Sequence, residues 1–351
     1  MITQIASFDN LFQNMNISPP IRFSLVLLTF LQLGSSYLPA QTSQQSVSPV
    51  SVSNANWFDT ARNRSVPVKI YFPTQKYEKF PIIIFSHGLG GSNDKCAYLG
   101  QTWAANGLIS VHIQHLGMDE QTWKGKIRPI KGLKDVYSQQ WSGRTQAEDI
   151  RFVLNQLDML SAHETSFGRL LDMSRVGVAG YDLGGLAAML LAGQVPPDQG
   201  RPLHDLRVKA IVVMSPPVAD QMISPPLSYG TMNAAALFFT GSEDDGVIGP
   251  TKSWQRRIPF DHMQGQDRFL ITYQNADHLI YAGHIRSSKS QDDQKFQANI
   301  AQATTLFWRA YLKDEPAVFA YFHGPSLGGI TGTLGRIERR LQSTEIRVQR
   351  L

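Results

Sequence analysis

Short apolar runs alternate with amphipathic segments along most of the chain. Val66–Pro73, Ile82–Phe85 and Val208–Pro217 are rich in β-branched and aromatic residues, which predicts strands. Arg144–Leu160 carries apolar residues at helical spacing, which predicts a helix with one buried face. Repeated over residues 56–323, this alternation predicts an α/β domain with a mostly parallel central sheet flanked by helices.

The two ends of the chain depart from this pattern. Residues 1–40 contain Arg22, an apolar run of about ten residues and then small residues up to Ala40, which is typical of a secretory signal peptide. Because a membrane span needs about 20 apolar residues, we expect an exported protein, periplasmic or extracellular, cleaved near Ala40 and without a permanent membrane anchor. Residues 41–55 are rich in Ser and Gln and predict a linker, whereas residues 324–351 are Gly-rich and then basic and predict a tail or an extra helix.

The composition of the chain excludes some classes of partner and cofactor. Of the 351 residues, 42% are hydrophobic, which is enough for a sizeable core. The net charge of +5 is mild, and we find no basic patch interleaved with aromatic residues, so nucleic acid is not an expected partner. His112 and His115 have no metal-site spacing and are expected to be structural; we therefore expect no metal and no other cofactor. The single Cys96 excludes an internal disulfide.

Arg175–Gly193 is the stretch that indicates chemistry. An apolar strand leads through Gly180, Asp182 and Gly184 into an Ala/Leu-rich helix. The glycines allow a sharp strand-to-helix turn, which would hold Asp182 strained and exposed at a helix N-terminus, where the helix dipole favours an anion. Since Asp is also a common helix N-cap, a structural role is the competing interpretation.

Further polar groups follow other predicted strands. The Gly-rich loop His87–Gly91 follows one strand, Asp244 and Asp245 follow another, and His278 follows the next. Ligands bind at the carboxyl ends of parallel strands, and glycines there let backbone N–H groups face a developing negative charge. An elbow residue followed by an acid and then a histidine is the chain order of a charge-relay set. Ser215, at the end of another strand, is interpreted as a turn residue.

These motifs resemble the α/β-hydrolase superfamily, and more narrowly the secreted bacterial branch related to dienelactone hydrolases, platelet-activating-factor acetylhydrolases and polyester-degrading cutinases. The resemblance covers Trp57–His323 through "FSHGLGGS", "AEDIRFVLNQL", "FFTGSEDDGVIG" and "NADHLIYAG". It implies an α/β-hydrolase fold. The site residues that it implies are the oxyanion-hole N–H groups of Leu89 and Leu183, the base His278, and an orienting acid, Asp244 or Asp245, between which the sequence does not decide.

The chain departs from this branch at the elbow, where relatives carry Ser and this sequence carries Asp182. A carboxylate is a weak nucleophile towards a carbonyl, but at a saturated carbon it forms an alkyl-enzyme ester that a His-activated water can hydrolyse. "GYDLGG" is similar to the Asp-bearing elbows of haloalkane dehalogenases and epoxide hydrolases. Those enzymes insert a helical cap at the point where this chain has fewer than twenty residues between Ser215 and Ala235, so no large cap domain is expected.

Three functions stay open. The first is a secreted hydrolase of a small ester-like or activated alkyl substrate, with Asp182 as nucleophile or as base for direct water attack. The second is a non-catalytic, ligand-binding relative of the same fold. The third is an interaction protein in which the basic segment 324–351 matters more than the pocket.

Overall fold

The computed structural model describes residues 48–75, 78–218, 223–283, 286 and 290–342. Within them, nine strands form one sheet in the order β1-β2-β4-β3-β5-β6-β7-β8-β9. The strands are β1 Val50–Asp59, β2 Arg64–Pro73, β3 Phe80–Ser86, β4 Ile109–Ile113, β5 Leu171–Tyr181, β6 Val208–Met214, β7 Ala235–Glu243, β8 Arg268–Asp277 and β9 Gly335–Arg340. From β4 to β8 neighbouring strands are parallel, while the β1–β2, β2–β4 and β8–β9 pairs are antiparallel. The predicted mostly parallel sheet is confirmed.

Helices cover both faces of this sheet. They are α1 Ala97–Ala105, α2 Pro129–Gln140, α3 Arg144–Ala162, α4 Leu183–Leu191, α5 Pro225–Tyr229, α6 Ile258–His262, α7 Ser290–Tyr311 and α8 Pro316–His323. One face packs against α3 and α4 through residues such as Val153 and Leu190. The other face packs against α1, α7 and α8 through Trp103, Trp308 and Phe322. Covered on both sides, β3 is buried at all seven positions, which explains its uninterrupted apolar sequence.

The predicted linker 41–55 is too long, because Val50–Ala55 belong to β1. In this strand, polar and apolar residues alternate, and it pairs with β2 along its whole length. The outward positions of this edge strand include Asn54 and Asn56, so the polar composition concealed it. Residues 41–47, and the predicted signal peptide 1–40, lie outside the described residues.

The segment from Gly324 to Gln342 is neither a tail nor an extra helix. It forms a 3₁₀ turn, Pro325–Ile330, and then β9, which extends the sheet beside β8. Ile337 packs against the core, and Arg339 Nη1 donates to the carbonyls of Phe322 and Gly324. Arg339, one of the arginines that suggested a basic tail, therefore anchors an edge strand. Residues 343–351 lie outside the described part of the chain.

Two connections follow strands that end at the carboxyl edge of the sheet. The polar insertion after β4 forms a 3₁₀ turn, Glu120–Thr122, and the helix α2. The short interval between β6 and β7 contains α5, and residues 219–222 of this interval are not described. No helix among the described residues has the length and apolar character needed to cross a bilayer.

Candidate active site

The elbow holds Asp182 in a strained backbone conformation. Its φ and ψ angles are 53° and −123°, a region in which residues other than glycine are rarely found. The turn is tight because a Cβ on Gly184 would lie 2.1 Å from Ser86 O. Although Asp182 occupies the N-cap position of α4, its side chain makes no capping hydrogen bond. Helix capping therefore does not account for this aspartate.

The Asp182 carboxylate instead meets the glycine-rich loop after β3. Leu89 N–H donates to Asp182 Oδ2 at 3.2 Å. This approach requires glycine at position 88, since a Cβ there would lie 2.9 Å from Asp182 Cβ. Leu183 is the first residue of α4, directly after the elbow. The loop and the elbow thus meet, and the oxyanion-hole roles of Leu89 and Leu183 stay predictions.

His278 lies in the 3₁₀ turn that follows β8, and only one of the two candidate acids contacts it. His278 Nδ1 is 3.1 Å from Asp244 Oδ1, and both side chains are buried. Asp245 points away: its side chain is 52% exposed and binds Lys252 Nζ at 2.9 Å and the Ser253 N–H at 3.0 Å. The structure therefore does not bring Asp245 to the site, because the turn after Glu243 sends consecutive residues to opposite sides.

Three neighbours hold the Asp244 carboxylate. Ser215 Oγ donates to Asp244 Oδ1 at 2.6 Å, Thr240 Oγ1 donates to Oδ2 at 3.0 Å, and Arg256 Nε lies 2.9 Å from Oδ1. Ser215 Oγ is also 2.7 Å from His278 Nδ1. A proton on Nδ1 can therefore be shared between Ser215 and Asp244, leaving Nε2 as the nitrogen that can accept a proton. Ser215 is more than the turn residue expected, and its positive φ of 49° aims it at this cluster.

Asp182 and His278 line one cavity of about 190 Å³. Its walls are mostly apolar and include α2 of the insertion; the lining residues are Leu89, Ile130, Leu133, Tyr137, Tyr181, Pro217, Val247, Ile248 and Leu279, with Gly246, Gly249, Thr251 and Arg256. The ring centre of Tyr181 is 5.0 Å from that of His278. Burial, together with Asp182 and Asp244, raises the pKa of Tyr181 well above its ordinary value, so the phenol stays protonated. The cavity suits a small, largely apolar substrate.

A known family matches the part of the chain that leads into this site. Residues 42–122 match the family model described as platelet-activating factor acetylhydrolase, isoform II. The matched segment contains β3 and the loop with Leu89. The family match and the mostly parallel sheet together support an α/β-hydrolase-like fold. No curated protein matches the chain. Because the match ends before the elbow, it does not bear on the Asp182 substitution.

Sequence analysis missed part of this candidate site. Arg256 is 1% exposed, and its guanidinium donates to the carbonyls of Asp244, Ser215 and Pro216. It joins the ends of β6 and β7 and so fixes the acid loop. Nothing in "SWQRR" distinguishes Arg256 from its exposed neighbours. Two positions in the sequence could have indicated the other partners of Asp244. Ser215 lies at a strand end, and Thr240 lies four residues before Asp244.

Other polar features of the described residues do not form a second site of this kind. A larger cavity of about 620 Å³ lies beyond the 3₁₀ turn Ser253–Arg257, but Trp254, Thr272 and Arg336 line it, without a nucleophile and histidine pair. The described residues contain no group of three or more His, Cys, Asp or Glu side chains that could hold a metal ion. Burial raises the pKa of Cys96 to about 12, which leaves an unreactive thiol.

Proposed function

We propose that this protein is a hydrolase of small activated alkyl substrates that uses Asp182 as a carbon nucleophile, His278 as the base and Asp244 as the acid that orients it. The observation that carries the proposal is the hydrogen bond from Leu89 N–H to Asp182 Oδ2. In a serine esterase, the equivalent backbone N–H groups bind the carbonyl oxygen of the substrate. Here a donor binds the enzyme's own carboxylate, which is the group attacked in the second step of the alkyl-ester route.

The first step forms the ester. The free oxygen of Asp182 attacks a saturated carbon, a C–O bond forms, and the leaving group departs with its bonding electrons as a halide or as the alkoxide of an opened epoxide. Tyr181 lines the same cavity with a protonated phenol, so it is our candidate for donating a hydrogen bond to the leaving group. The mostly apolar walls weaken the hydration of the carboxylate, which favours this attack.

The second step hydrolyses the ester at the carboxyl carbon of Asp182. His278 Nε2 takes a proton from water, the hydroxide adds to that carbon, and negative charge develops on Oδ2. Leu89 N–H already donates to this oxygen, and Leu183 N–H is the second predicted donor. Collapse breaks the ester C–O bond, and the alkoxide takes the proton of the His278 imidazolium and leaves as the product alcohol. One oxygen from water stays in the carboxyl group, which loses its proton to solvent. Buried Asp244 stabilises the imidazolium that forms.

The test follows the water oxygen. A panel of short 1-haloalkanes, terminal epoxides and p-nitrophenyl esters identifies a substrate, and a single turnover is then run in heavy-oxygen water. Mass spectrometry should find the label in the peptide that contains Asp182, and His278→Gln should accumulate the alkyl adduct on that peptide. Label found in the product alone contradicts the nucleophile role and favours direct water attack with Asp182 as base.

The alternative is a ligand-binding relative without activity. The small cavity and the hydrogen bond between Asp182 and Leu89 would also suit a binding site for a small polar-headed ligand. In that case no member of the panel is turned over by the wild-type protein. Asp182→Asn should then still bind a cavity ligand, because no covalent step depends on the carboxylate.

A further inference from the structure

A buried hydrogen-bond network lies directly behind the oxyanion loop. His87 is 1% exposed and joins the end of β3 to the end of β4. The backbone N–H of His115 donates to His87 Nε2 at 3.1 Å. Since Nε2 accepts, the ring proton must be on Nδ1, which lies 2.8 Å from Gly88 O and donates to it. The two contacts together select one tautomer of His87.

The bond to Gly88 O determines the direction of Leu89 N–H. Gly88 C=O and Leu89 N–H belong to the same planar, trans peptide group, so they point in opposite directions. A donor that holds the carbonyl on one side therefore aims the N–H at Asp182 Oδ2 on the other. Gly91 N–H also donates to Gly88 O, at 3.1 Å, and closes the turn.

His115, which holds His87, is itself held by a buried array. Its Nδ1 lies 2.9 Å from Asp149 Oδ2, and its Nε2 lies 2.9 Å from Ser86 Oγ. Arg64 makes two hydrogen bonds to the Asp149 carboxylate, at 2.9 and 2.8 Å. Ser86, His115 and Asp149 have the connectivity of a charge-relay set, but all three are fully buried, so no substrate reaches them.

We propose that His87, anchored by His115 and its buried partners, is a positioning residue that aims the Leu89 N–H at the Asp182 carboxylate. The effect that we expect on kcat rests on the proposed function. The effect on the direction of the Leu89 N–H does not. Burial, followed by the neighbouring His115, lowers the pKa of His87 to about 3, so the ring stays neutral at working pH and keeps its acceptor on Nε2.

Two substitutions separate the two hydrogen bonds of His87. In His87→Asn, the side-chain N–H can occupy the position of Nδ1 and still donate to Gly88 O. In His87→Gln, the longer amide can accept from the His115 N–H, but no donor is left at the position of Nδ1. His112→Gln is the matched control, since His112 is also fully buried and lies in β4, where it contacts Ser110 rather than the loop.

The primary readout is the amide proton shift of Leu89 in protein labelled with ¹⁵N-leucine, assigned through its loss in Leu89→Met. We expect His87→Gln to move this shift most of the way to the value in Asp182→Asn, whereas His87→Asn and His112→Gln keep the wild-type value. If His87→Gln does not fold, His87→Ala is used, and added imidazole should return the shift to the wild-type value. A wild-type shift in folded His87→Gln, or no response of His87→Ala to bound imidazole, overturns the proposal.

Kinetics provide the second readout once a substrate is known. Removing an oxyanion-hole donor costs roughly 10² to 10³ in kcat, and a misdirected donor should cost less, so we expect kcat to fall about 10- to 100-fold in His87→Gln with KM nearly unchanged. His87→Asn should recover most of this loss. A shifted Leu89 signal with no turnover by any variant, wild type included, would refute the proposed function and leave the positioning role intact. Equal kcat in His87→Gln and His112→Gln would refute the kinetic role.

Discussion

At the scale of single residues, the carboxylate of Asp182 distinguishes this site from that of a serine hydrolase. Asp182 keeps the strained conformation and the oxyanion contact expected of an elbow nucleophile, but it presents a carboxylate. Asp244 lies beside His278, and Leu89 N–H faces residue 182, two contacts that acyl transfer would also use. The chemistry of the pocket is therefore expected to follow the identity of residue 182.

Asp182→Ser should convert the protein towards an esterase. A serine at the elbow can be activated by His278, and Leu89 N–H would be free to bind a substrate oxyanion. We expect hydrolysis of p-nitrophenyl acetate at least about 10²-fold faster than by Asp182→Ala, which keeps the pocket but has no nucleophile. Equal rates for the two folded variants would contradict a preserved hydrolase site.

The two adjacent acids provide a matched pair of substitutions. Asp244→Asn removes the charge beside His278 and should lower kcat by about 10² to 10⁴, since the imidazolium loses its stabilising carboxylate. Asp245→Asn breaks a contact with Lys252 at the surface and should keep kcat within about twofold of wild type. Steady-state kinetics with the substrate found in the panel measure both. A larger loss in Asp245→Asn than in Asp244→Asn would reverse the assignment of the orienting acid.

At the scale of secondary-structure elements, the sequence predicted central features better than peripheral ones. β3 and β6 could be predicted because strands covered on both faces are continuously apolar. β1 and β9 were missed because these edge strands carry Asn and Arg, respectively, on their solvated sides. At the site, chain order was enough to nominate Asp182, His278 and the adjacent acids Asp244 and Asp245, without choosing between the two acids. It could not nominate Arg256, whose position depends on the fold of a loop that has no periodicity.

The histidines that end β3 and lie within β4 make stability depend on pH. Burial lowers the pKa of both His87 and His112 to about 3, against an ordinary value of 6.5. Between these pH values the unfolded chain binds protons that the folded chain does not. The contribution of these histidines to the free energy of unfolding is therefore largest above pH 6.5 and falls as the pH drops. Each histidine should contribute up to about 1.4 kcal/mol per pH unit.

Urea unfolding at several pH values between 4.5 and 6.5 measures this slope. We expect His112→Gln to reduce it by about 1.4 kcal/mol per pH unit relative to wild type, since one of the two buried histidines is lost. An identical slope in wild type and His112→Gln would show that His112 is protonated in the folded protein over this range.

At the scale of the whole molecule, one sheet carries all parts of the candidate site at one edge. The loop after β3, the elbow after β5, the acid after β7 and the histidine after β8 follow parallel strands, so their carboxyl ends meet. This common direction is why a chain order read from the sequence could predict proximity. The described sheet begins at Val50 and ends at Arg340. Segments before and after those residues can therefore be tested separately from the site.

Export is the prediction that belongs to the chain as a whole. Cleavage near Ala40 would leave residues 41–49 ahead of Val50, so every described strand would be kept in the mature protein. In a secreting bacterial host, mature protein should begin near Gln41, as measured by N-terminal sequencing, and should have the same activity and melting temperature as residues 41–351 expressed directly. Ala40→Arg should block processing, because cleavage sites need small residues. Exported protein that still begins at Met1 or Met15 would contradict a cleaved signal peptide.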